Sequence, residues 1–387
     1  MSDINQKKPV VCFVVAAEIT VKAFLLEHIR AMEKYFDISV VLNTGNKDFL
    51  QPFGIKIPVV AVSIERRISP VSDLKTLYGL YRLFRKERYD AIHSVTPKAG
   101  LLSMIAGFFA GIPIRIHIFT GQVWATKKGF VRWFLKSMDK LLAACATHIL
   151  VDSGSQRDFL IEQGVVSPDK SRVLANGSIC GVDTDKFLPD PKSRDLIRRH
   201  LAIQESDVVF LYLGRLNRDK GLIDLARSFC RACDKYDNIH LLIVGPDEQG
   251  MKEQMESLCR ACIHKLHYAG YTDVPEKYFA ASDVFCLPSY REGFGVVVIQ
   301  AASAGVPSIG TRIYGVIDTI EDGITGLLYH PGDVDGLASK MIEMIERPDL
   351  RKIMGSNARI RATEKFSKEI VTEALTDYYK SLLLANV

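Results

Sequence analysis

The sequence contains no long uninterrupted hydrophobic run. Its longest apolar stretch, residues 100–114, is broken by Pro113 and followed by Arg115. It is therefore shorter than the roughly 20 residues that a helix needs to cross a bilayer. The first residues also lack the basic start, apolar core and small-residue cleavage site of an export signal. From these absences we expect a cytoplasmic protein that does not span a membrane.

Other features that would indicate a function class are also missing. We find no short-period repeat, no low-complexity tract, no Ser-His-Asp order and no His and carboxylate cluster of metal-ligand spacing. The formal net charge of the 387 residues is only +5, and no nucleic-acid module is recognisable. Hydrophobic residues make up 48% and charged residues 25%, an ordinary globular composition. We therefore expect a soluble protein of two domains that does not bind nucleic acid.

The eight cysteines include two pairs that imitate a four-cysteine zinc site, Cys230 with Cys233 and Cys259 with Cys262. Both pairs fall in predicted helices, whereas zinc ligands usually lie on tight turns. Cysteine in a helix packs as a small hydrophobic residue. We therefore predict no metal site, no cofactor and no disulfide framework, in keeping with a reducing compartment.

Short apolar runs alternate with helical patterns along two successive stretches of the chain, which predicts two doubly wound parallel sheets of the α/β class. The predicted strands of the first set are residues 10–16, 38–42, 59–62, 91–95, 115–119 and 148–151. Those of the second set start at residue 208 and continue with residues 240–244, 265–269, 284–287, 307–310 and 326–329. A proline-containing segment, residues 183–195, is a predicted linker. We predict Rossmann-like domains at residues 1–185 and 186–365, and a final helix in residues 366–387.

One segment in the second half combines a carboxylate, two glycines and the start of an apolar helix. It reads PSYREGFG at residues 288–295, and it lies between the apolar strand 284–287 and the apolar run 296–302. Free backbone N–H groups at a helix start attract anions, and glycine lets a ligand come close to that backbone. Glu292 repels a phosphate but suits sugar hydroxyls. The segment therefore favours a site with a phosphate end and a polyol end, as a nucleotide sugar requires.

An upstream segment supplies cations in a comparable position. Residues 209–221 indicate a buried strand, a tight turn, and then Arg215 and Lys220 around the entry of a helix that begins near Leu222. Two cations fixed on a strand-to-helix turn can bind both phosphates of a diphosphate and stabilise it as it leaves. Taken alone, the two residues are equally compatible with solvated loop charges.

Together these segments resemble the retaining glycosyltransferases of the GT-B fold, glycosyltransferase family four. That family places an Arg and a Lys on the diphosphate, and a Glu-x7-Glu motif on the donor sugar and ribose. Four other segments are similar to motifs of this family: Asn-Gly at 176–177, Gly-Val-Asp at 181–183, AASDVFCLPS at 280–289 and DGITGLL at 322–328. Residues 93–100 and 117–121 are most similar to the branch that builds capsule, O-antigen and lipid-linked oligosaccharides.

The sequence departs from the family pattern at two places. The second Glu of the motif is replaced by Gln300, whose amide can accept a bond from a ribose hydroxyl without the strength that a charge gives. Family members also often carry a Gly-Gly loop after the first strand, where this chain has Ala16 and Ala17. Alanine is not free at positive φ, so we expect that loop to take another path.

The resemblance implies a set of site residues. His117 ends an apolar strand ahead of Thr120 and Gly121, where family members contact the donor sugar or support developing positive charge. Lys98 follows His93 at a strand end and faces an acceptor phosphate in this interpretation, while His93 itself can be a satisfied core residue. The predicted catalytic residues are Glu292, His117, Arg215 and Lys220. The predicted substrate-binding residues are Gly293, Phe294, Gly295, Gln300, Ser289, Thr120, Gly121 and Lys98.

A cationic stripe is predicted on one helix of the first half, beside Phe130 and Trp133. Its members, which recur every four residues, are Lys128, Arg132, Lys136 and Lys140. Basic residues exceed acidic ones in residues 1–185, whereas the remainder is slightly acidic. Such a helix suits an anionic membrane surface or a lipid diphosphate, and it also fits a core-packed helix with a solvated face.

The resemblance implies a retaining, metal-independent glycosyltransferase that moves a hexose or N-acetylhexosamine from a UDP-sugar donor. The implied acceptor is an undecaprenyl-diphosphate-linked or growing glycan, which places the enzyme in the cytoplasm, peripheral to the inner membrane. Two alternatives remain open at this point. One is a nucleotide-sugar epimerase or hydrolase of the same fold, and the other is a non-catalytic nucleotide-sugar-binding subunit.

Overall fold

The computed structural model describes residues 7–65 and 69–384, which form two compact units. Unit 2 is Gly181–Lys368, and unit 1 is the rest of the chain on either side of it. The chain enters and leaves unit 2 at neighbouring positions, because the backbone N–H of Val182 donates to the carbonyl of Phe366 at 2.8 Å. Each unit is built on its own sheet.

Unit 1 contains a seven-stranded sheet whose strand pairs are all parallel. Its strands are β1 (Val10–Val14), β2 (Asp37–Leu42), β3 (Val59–Ala61), β4 (Ala91–Val95), β5 (Ile114–Phe119), β6 (His148–Val151) and β7 (Ser171–Arg172). They are arranged in the order β3-β2-β1-β4-β5-β6-β7, so the winding direction reverses between β1 and β4. The central strands are buried on both faces, which explains why they appear in the sequence as continuous apolar runs.

Unit 2 contains a six-stranded sheet that is also parallel throughout. Its strands are β8 (Val208–Leu213), β9 (Ile239–Val244), β10 (Leu266–Gly270), β11 (Val284–Leu287), β12 (Ser308–Thr311) and β13 (Gly326–Tyr329). The order β10-β9-β8-β11-β12-β13 reverses between β8 and β11. The predicted fold class, two parallel-sheet α/β halves, is confirmed.

Helices connect the strands in both units. Those of unit 1 are α1 (Glu18–Phe24), α2 (Leu26–Met32), α3 (Pro70–Glu87), α4 (Pro97–Ala110), α5 (Gly129–Cys145) and α6 (Gly154–Glu162). Those of unit 2 are α7 (Pro191–His200), α8 (Leu222–Cys233), α9 (Met251–Leu258), α10 (Pro275–Ala281), α11 (Val296–Ser303), α12 (Val316–Thr319), α13 (Val334–Glu346) and α14 (Pro348–Phe366). The last helix, α15 (Lys368–Leu383), lies in unit 1 from its second residue onward.

The unit 2 sheet has an apolar layer on each face because successive strand side chains alternate in direction. In β8, Phe210 and Tyr212 join the layer covered by α8 and α13. Val209 and Leu211 join the layer covered by α11 and α14. The helices on both faces therefore pack against side chains of β8. This packing fixes where the helices begin relative to the carboxyl end of β8.

Within residues 7–65 and 69–384, no helix combines the length and the apolar character needed to cross a membrane. The longest apolar stretch of the sequence forms the 14-residue helix α4. This helix contacts α3 and α5, and more than half of its residues are buried in unit 1.

The second cysteine pair departs from its predicted helix. Helix α9 ends at Leu258, and a short 3-10 segment, Arg260–Lys265, follows. Within it Cys262 has non-helical backbone angles, φ −122° and ψ 26°, because the chain turns there toward β10. The prediction that both cysteine pairs lie in helices is therefore wrong for Cys259 and Cys262.

Candidate functional site

The two segments that sequence reasoning singled out follow β8 and β11, the strands between which the unit 2 sheet reverses. Ligands of open parallel sheets bind beyond the carboxyl ends of the strands at such a reversal. Strands β9 and β12 end at the same edge, since all neighbours are parallel. We call the four loops at this edge the switch-point edge. It comprises residues 214–221, 245–250, 288–295 and 312–315.

The structure brings three predicted residues together at the switch-point edge. The Nζ atom of Lys220 lies 2.5 Å from Oε1 of Glu292, and the Ser289 hydroxyl donates to the same oxygen at 2.7 Å. The side chains of Lys220 and Glu292 are 20% and 14% exposed, and Ser289 is buried. A carboxylate held by a cation and a hydroxyl is fixed in position, which suits a group that orients the hydroxyls of a ligand.

Arg215 lies at the same edge but does not join this group. Its Nη1 donates to both carboxylate oxygens of Glu248, at 3.2 and 3.1 Å, on the loop after β9. The amide of Asn217 donates to Glu248 at 3.3 Å. The Arg215 side chain is 54% exposed, so it remains accessible to an anion.

Sequence reasoning missed two side chains of the switch-point edge, Glu248 and Asp219. Glu248 holds Arg215, and Asp219 accepts from Arg291 at 3.3 Å, which ties the loop after β8 to the loop after β11. Glu248 could have been inferred from its position in the loop after the apolar run of β9. That inference also requires knowing that β9 lies beside β8 in the sheet.

The loops of the switch-point edge approach so closely that two positions require glycine. Gly221 has φ +68°, and a Cβ atom there would lie 2.0 Å from the carbonyl oxygen of Pro288. Gly315 has φ +82°, and a Cβ atom there would lie 2.4 Å from the carbonyl oxygen of Gly293. The loop that carries Glu292 is therefore held between the start of α8 and the start of α12.

Helix α11 begins at this loop. Gly295 precedes it with φ +76°, and no side chain caps the first N–H groups. Gly293 lies two residues earlier on the same turn, whereas Phe294 buries its side chain edge-to-face on Phe366, with ring centroids 5.3 Å apart. Phe294 can therefore meet a ligand only through its backbone. Gln300 is half-buried at the fifth position of α11.

In unit 1, His117 is a buried side chain that is 1% exposed. Its Nδ1 lies 2.8 Å from the Ser94 hydroxyl, and its ring packs edge-to-face on Phe119. A Cβ atom on Gly100 would lie 2.4 Å from Cε1 of His117, so α4 sits directly on the ring. Burial lowers the pKa of His117 to about 3, which keeps the ring neutral near pH 7. This environment suits a residue that positions β5 and α4.

His93 is also buried and lies in the unit 1 core. Its Nδ1 is 2.9 Å from the Tyr379 hydroxyl on α15, and the two rings are stacked. Burial lowers the pKa of His93 to about 3. Both histidines are therefore neutral near pH 7 and hydrogen-bonded within unit 1, and His93 links β4 to the last helix.

Lys98, Thr120 and Gly121 lie at the carboxyl edge of the unit 1 sheet. Lys98 is the second residue of α4, is 17% exposed, and its Nζ lies 2.6 Å from Oδ1 of Asp73. Thr120 and Gly121 follow β5, and the carbonyl of Thr120 accepts from the Gln156 amide at 3.2 Å. An acceptor phosphate would therefore compete with the Asp73 carboxylate for the Lys98 ammonium.

The predicted cationic stripe on α5 is divided. Lys128 and Lys140 are exposed, whereas Arg132 and Lys136 turn inward. Both inward cations lie over the buried ring of Trp124, at 5.2 and 5.6 Å from its centroid, and both donate to the Gln163 amide oxygen. Burial lowers the pKa of Lys136, and the neighbouring cations lower it further. The continuous stripe expected from the sequence is therefore not present on the helix surface.

Exposed aromatic residues lie beside that stripe. On α5, Phe130 is 73% and Trp133 is 63% exposed, with ring centroids 5.6 Å apart. Because α5 follows a strand of a parallel sheet, its first turns lie near the carboxyl edge of unit 1. These rings therefore occupy the same edge as Thr120 and Lys98.

The loop after β1 contains no positive-φ alanine. Ala17 is extended, with φ −158°, and α1 begins at Glu18. Glu18 accepts a hydrogen bond from Thr44 at 2.5 Å, which lowers the pKa of this carboxyl. Together with Asn43 these residues line an open pocket. A carboxylate thus directly follows the two alanines that stand where the family motif has glycines.

Solved structures, among them the glycosyltransferase WaaG, share this architecture. Anabaena HepE, solved with UDP and glucose, superposes with a TM-score of 0.80 at 19% identity, covering 96% of this chain and 100% of that chain. WaaG, which is involved in lipopolysaccharide biosynthesis, superposes with a TM-score of 0.74 at 17% identity, covering 95% of this chain and 99% of that chain. These similarities establish the GT-B fold.

Two family models cover most of the chain. A glycosyl transferase 4-like domain matches residues 25–177, in unit 1, and the model for glycosyl transferases group 1 matches residues 193–361, in unit 2. The chain therefore combines a glycosyl transferase 4-like domain with a glycosyl transferases group 1 domain, and its 33% identity to a curated capsular glycosyltransferase shows that it is a GT-B glycosyltransferase.

Curated relatives agree with this assignment. The capsular polysaccharide biosynthesis glycosyltransferase CapM of Staphylococcus aureus is 33% identical over 352 residues, 91% of each chain. The UDP-Gal:alpha-D-GlcNAc-diphosphoundecaprenol alpha-1,3-galactosyltransferase of Escherichia coli is 28% identical over 325 residues, 82% of each chain.

Proposed function

We propose that this enzyme transfers a hexose or N-acetylhexosamine from a UDP-sugar to an undecaprenyl-diphosphate-linked or growing glycan, with retention of anomeric configuration, in capsule or other surface polysaccharide synthesis. The observation that carries the donor assignment is the Lys220–Glu292 pair, with Ser289 bound to it, beside the start of α11. A cation, a fixed carboxylate and a helix start without a side-chain cap match a diphosphate joined to a sugar.

The names of similar proteins support both substrates. The Escherichia coli relative is named for galactose transfer from UDP-Gal to a diphosphoundecaprenol-linked GlcNAc. A Campylobacter jejuni relative, 24% identical, is named as an N-acetylgalactosaminyltransferase acting on a diphospho-undecaprenol-linked sugar. Anabaena HepE was solved with UDP-glucose. A UDP-sugar is thus named for the Escherichia coli and Anabaena proteins, and a lipid diphosphate for the Escherichia coli and Campylobacter jejuni proteins.

In the proposed reaction the bond between the anomeric carbon and the diphosphate oxygen breaks, and a bond to the acceptor oxygen forms on the same face. Arg215, Lys220 and the α11 N–H groups stabilise the negative charge that develops on the diphosphate. The acceptor proton passes to an oxygen of the leaving diphosphate, so no separate base is needed. Glu292 orients the sugar ring through its hydroxyls.

Donor binding exchanges ion partners at the switch-point edge. Lys220 is paired with Glu292 and Arg215 with Glu248 in this structure. A diphosphate offers each cation a stronger, multiply charged partner. Glu292 keeps its bond from Ser289 and can then accept from sugar hydroxyls in place of Lys220, which couples recognition of the phosphate end to recognition of the polyol end.

We expect transfer to be independent of divalent ions, because the two cations and the helix start supply the positive field. Brief incubation with EDTA should leave the initial rate unchanged, and added Mg²⁺ or Mn²⁺ should not raise it. Loss of transfer that Mg²⁺ or Mn²⁺ restores would contradict this charge assignment.

The acceptor assignment has a separate structural support in unit 1. Phe130 and Trp133 are exposed aromatic rings next to Lys128, at the carboxyl edge that also carries Lys98. Exposed aromatic rings beside cations bind the interface of anionic lipids. We therefore propose that the first turns of α5 rest on the membrane that holds the lipid-linked acceptor.

Mass spectrometry of products from pooled UDP-sugars with undecaprenyl-diphosphate-sugar acceptors tests the function. The expected result is an acceptor heavier by one sugar residue and an equivalent amount of UDP. Turnover of UDP-sugar without acceptor would instead identify an epimerase or hydrolase. UDP binding without turnover across the acceptor panel would indicate a non-catalytic binding subunit.

A further inference from the structure

Four cysteines of unit 2 converge at the end of α8 that lies away from the switch-point edge. Cys230 and Cys233 are three residues apart in the last turn of α8, which places them on one helix face. Cys259 follows α9, and Cys262 lies in the 3-10 segment after it. The sulfur of Cys230 is 3.3 Å from that of Cys259 and 3.9 Å from that of Cys262.

These sulfur separations match the edge lengths of a tetrahedral thiolate site. A Zn–S distance of about 2.3 Å places neighbouring sulfurs about 3.8 Å apart. The three sulfurs of Cys230, Cys259 and Cys262 all lie within 4.8 Å of one another. Cys233 lies outside this group of three, but it interacts with the Cys262 thiol and would supply the fourth sulfur once its side chain turns toward the ion. A disulfide would require a sulfur pair about 2.05 Å apart, and all four cysteines are free.

The local backbone also has the form of a metal-ligand turn. The N–H of Cys262 donates to the carbonyl of Cys259 at 2.9 Å, so the two thiols lie on a tight turn. Zinc ligands separated by two residues commonly lie on such turns. The expectation that no metal binds here depended on both pairs lying within helices, and the second pair does not.

The surroundings suit a structural ion. Cys259 and Cys262 are buried, whereas Cys230 and Cys233 are half-buried, so the cluster lies between the core and the surface. Four thiolates around a divalent ion carry a net charge of −2, and the buried Lys265 ends the segment that carries Cys262. The Lys265 ammonium donates to the Tyr236 carbonyl at 3.2 Å and pairs with Asp237 at 3.1 Å, so the end of this segment is fixed.

We propose that Cys230, Cys233, Cys259 and Cys262 bind one structural Zn²⁺ ion. Soft thiolates select zinc over hard divalent ions, and a site with four protein ligands has no open position for substrate. An iron–sulfur cluster distributes its thiolates over several irons, which the close group of three sulfurs does not fit. The ion would join the end of α8 to the turn that leads into β10, and so stiffen the helix that begins next to Lys220.

Metal content of the full-length protein tests this proposal. Protein purified without chelator from zinc-supplemented cells should contain about one zinc per chain by inductively coupled plasma mass spectrometry. The Cys230→Ser/Cys233→Ser and Cys259→Ser/Cys262→Ser variants should lose it. Cys145→Ser, which removes a half-buried thiol of unit 1, should keep it. Equal zinc in all variants would place the metal elsewhere and overturn the proposal.

Two measurements on the wild-type protein keep the test decisive if the double variants do not fold. Replacement of zinc by Co²⁺ should produce the intense visible and sulfur-to-cobalt absorption bands of a tetrahedral thiolate site. Intact mass under non-reducing conditions should correspond to eight reduced cysteines. Zinc-free, fully reduced protein would overturn the proposal, and so would a mass lowered by a disulfide. Neither measurement uses UDP-sugar, so failure here is distinct from failure of the proposed transfer.

Discussion

Lys220 and Arg215 are the two residues whose charge the proposed reaction uses most directly. Replacing either by Ala removes a cation from the neighbourhood of the leaving diphosphate. Preorganised groups of this kind are worth about 3 kcal/mol in the transition state, so kcat/KM should fall on the order of a hundredfold. Steady-state kinetics with the identified donor and acceptor measure the effect.

The control for these two variants is Lys235→Ala, which removes an exposed cation of unit 2 after α8. Circular dichroism and thermal unfolding should show that all three variants are folded. Wild-type kcat/KM in a folded Lys220→Ala protein would exclude that side chain from the mechanism, and the same holds for Arg215→Ala.

Gln300 supports a second test at the scale of one side chain. If its amide accepts a hydrogen bond from the ribose, Gln300→Leu should weaken UDP binding, because the hydroxyl loses its partner. Gln300→Glu should tighten binding by up to about 1 kcal/mol, since a charged acceptor forms the stronger bond. Repulsion from the diphosphate and from nearby Glu292 opposes this gain. Calorimetric titration with UDP decides, and unchanged affinity in Gln300→Leu would mean that the side chain does not contact the nucleotide.

Single residues were predictable where the chemistry is local in sequence. The motif at residues 288–295 identified Glu292 and Ser289, and in the structure Glu292 accepts from both Ser289 and Lys220. Glu248 was not predictable, because its partner Arg215 is 33 residues away and the contact depends on β9 lying beside β8. The burial of His117 was also missed, since the Gly100 contact that covers it comes from a different element.

Strands that appear in the sequence as apolar runs were predicted, whereas elements without such a pattern were not. Eleven of the predicted runs correspond to strands β1 to β6 and β9 to β13, and the run that begins at residue 208 is β8. The two-residue strand β7 (Ser171–Arg172) carries no apolar pattern and exists only because β6 offers it an edge. The 3-10 segment Arg260–Lys265 was read as helix because its composition is helical, while the turn into β10 decides its backbone.

At the level of elements, the close packing of the start of α12 against the loop that carries Glu292 can be tested by substitution. Gly315→Ala adds a Cβ atom 2.4 Å from the Gly293 carbonyl oxygen, so the loop must shift. We expect UDP affinity to fall at least tenfold, because that loop forms the proposed diphosphate site. Calorimetric titration with UDP measures the loss.

Gly323→Ala is the matched control for that experiment. Gly323 has φ +78°, close to the +82° of Gly315, but nothing lies within 4 Å of its added Cβ. Both variants therefore carry a similar backbone strain, and only Gly315→Ala carries the clash. Equal UDP affinity in the two variants would show that the loop tolerates displacement, contrary to the proposed site.

At the scale of the whole molecule, basic residues and the proposed phosphate-binding residues are distributed differently between the two units. Basic residues exceed acidic ones before residue 186 and not after it. The diphosphate cations lie in unit 2, whereas the exposed aromatic rings of α5 and the basic excess lie in unit 1. This division favours a donor-binding unit 2 and a unit 1 that meets an anionic lipid surface. Helix α5 was predicted correctly from the sequence, but the packing of Arg132 and Lys136 over Trp124 was not. Trp124 lies outside the helix, so the helical pattern does not indicate this contact.

The membrane proposal predicts the behaviour of the whole protein on vesicles. The Phe130→Ser/Trp133→Ser variant removes two exposed rings from the first turns of α5. Losing this apolar contact should lower binding to vesicles with anionic lipid at least about tenfold, given the free energy of burying large apolar side chains. Co-sedimentation at low and high salt measures the change, and salt should weaken the binding that remains.

The matched control removes two rings that are also more than half exposed, from the opposite edge of unit 1. Phe108 and Phe109 end α4 and are 53% and 69% exposed, and α4 leaves the carboxyl edge of the sheet at its first residue. Phe108→Ser/Phe109→Ser should therefore bind vesicles as the wild type does, and both variants should bind UDP normally because unit 2 is unchanged. Equal losses in the two aromatic variants would indicate nonspecific adsorption, and no loss in Phe130→Ser/Trp133→Ser would remove α5 from the membrane contact.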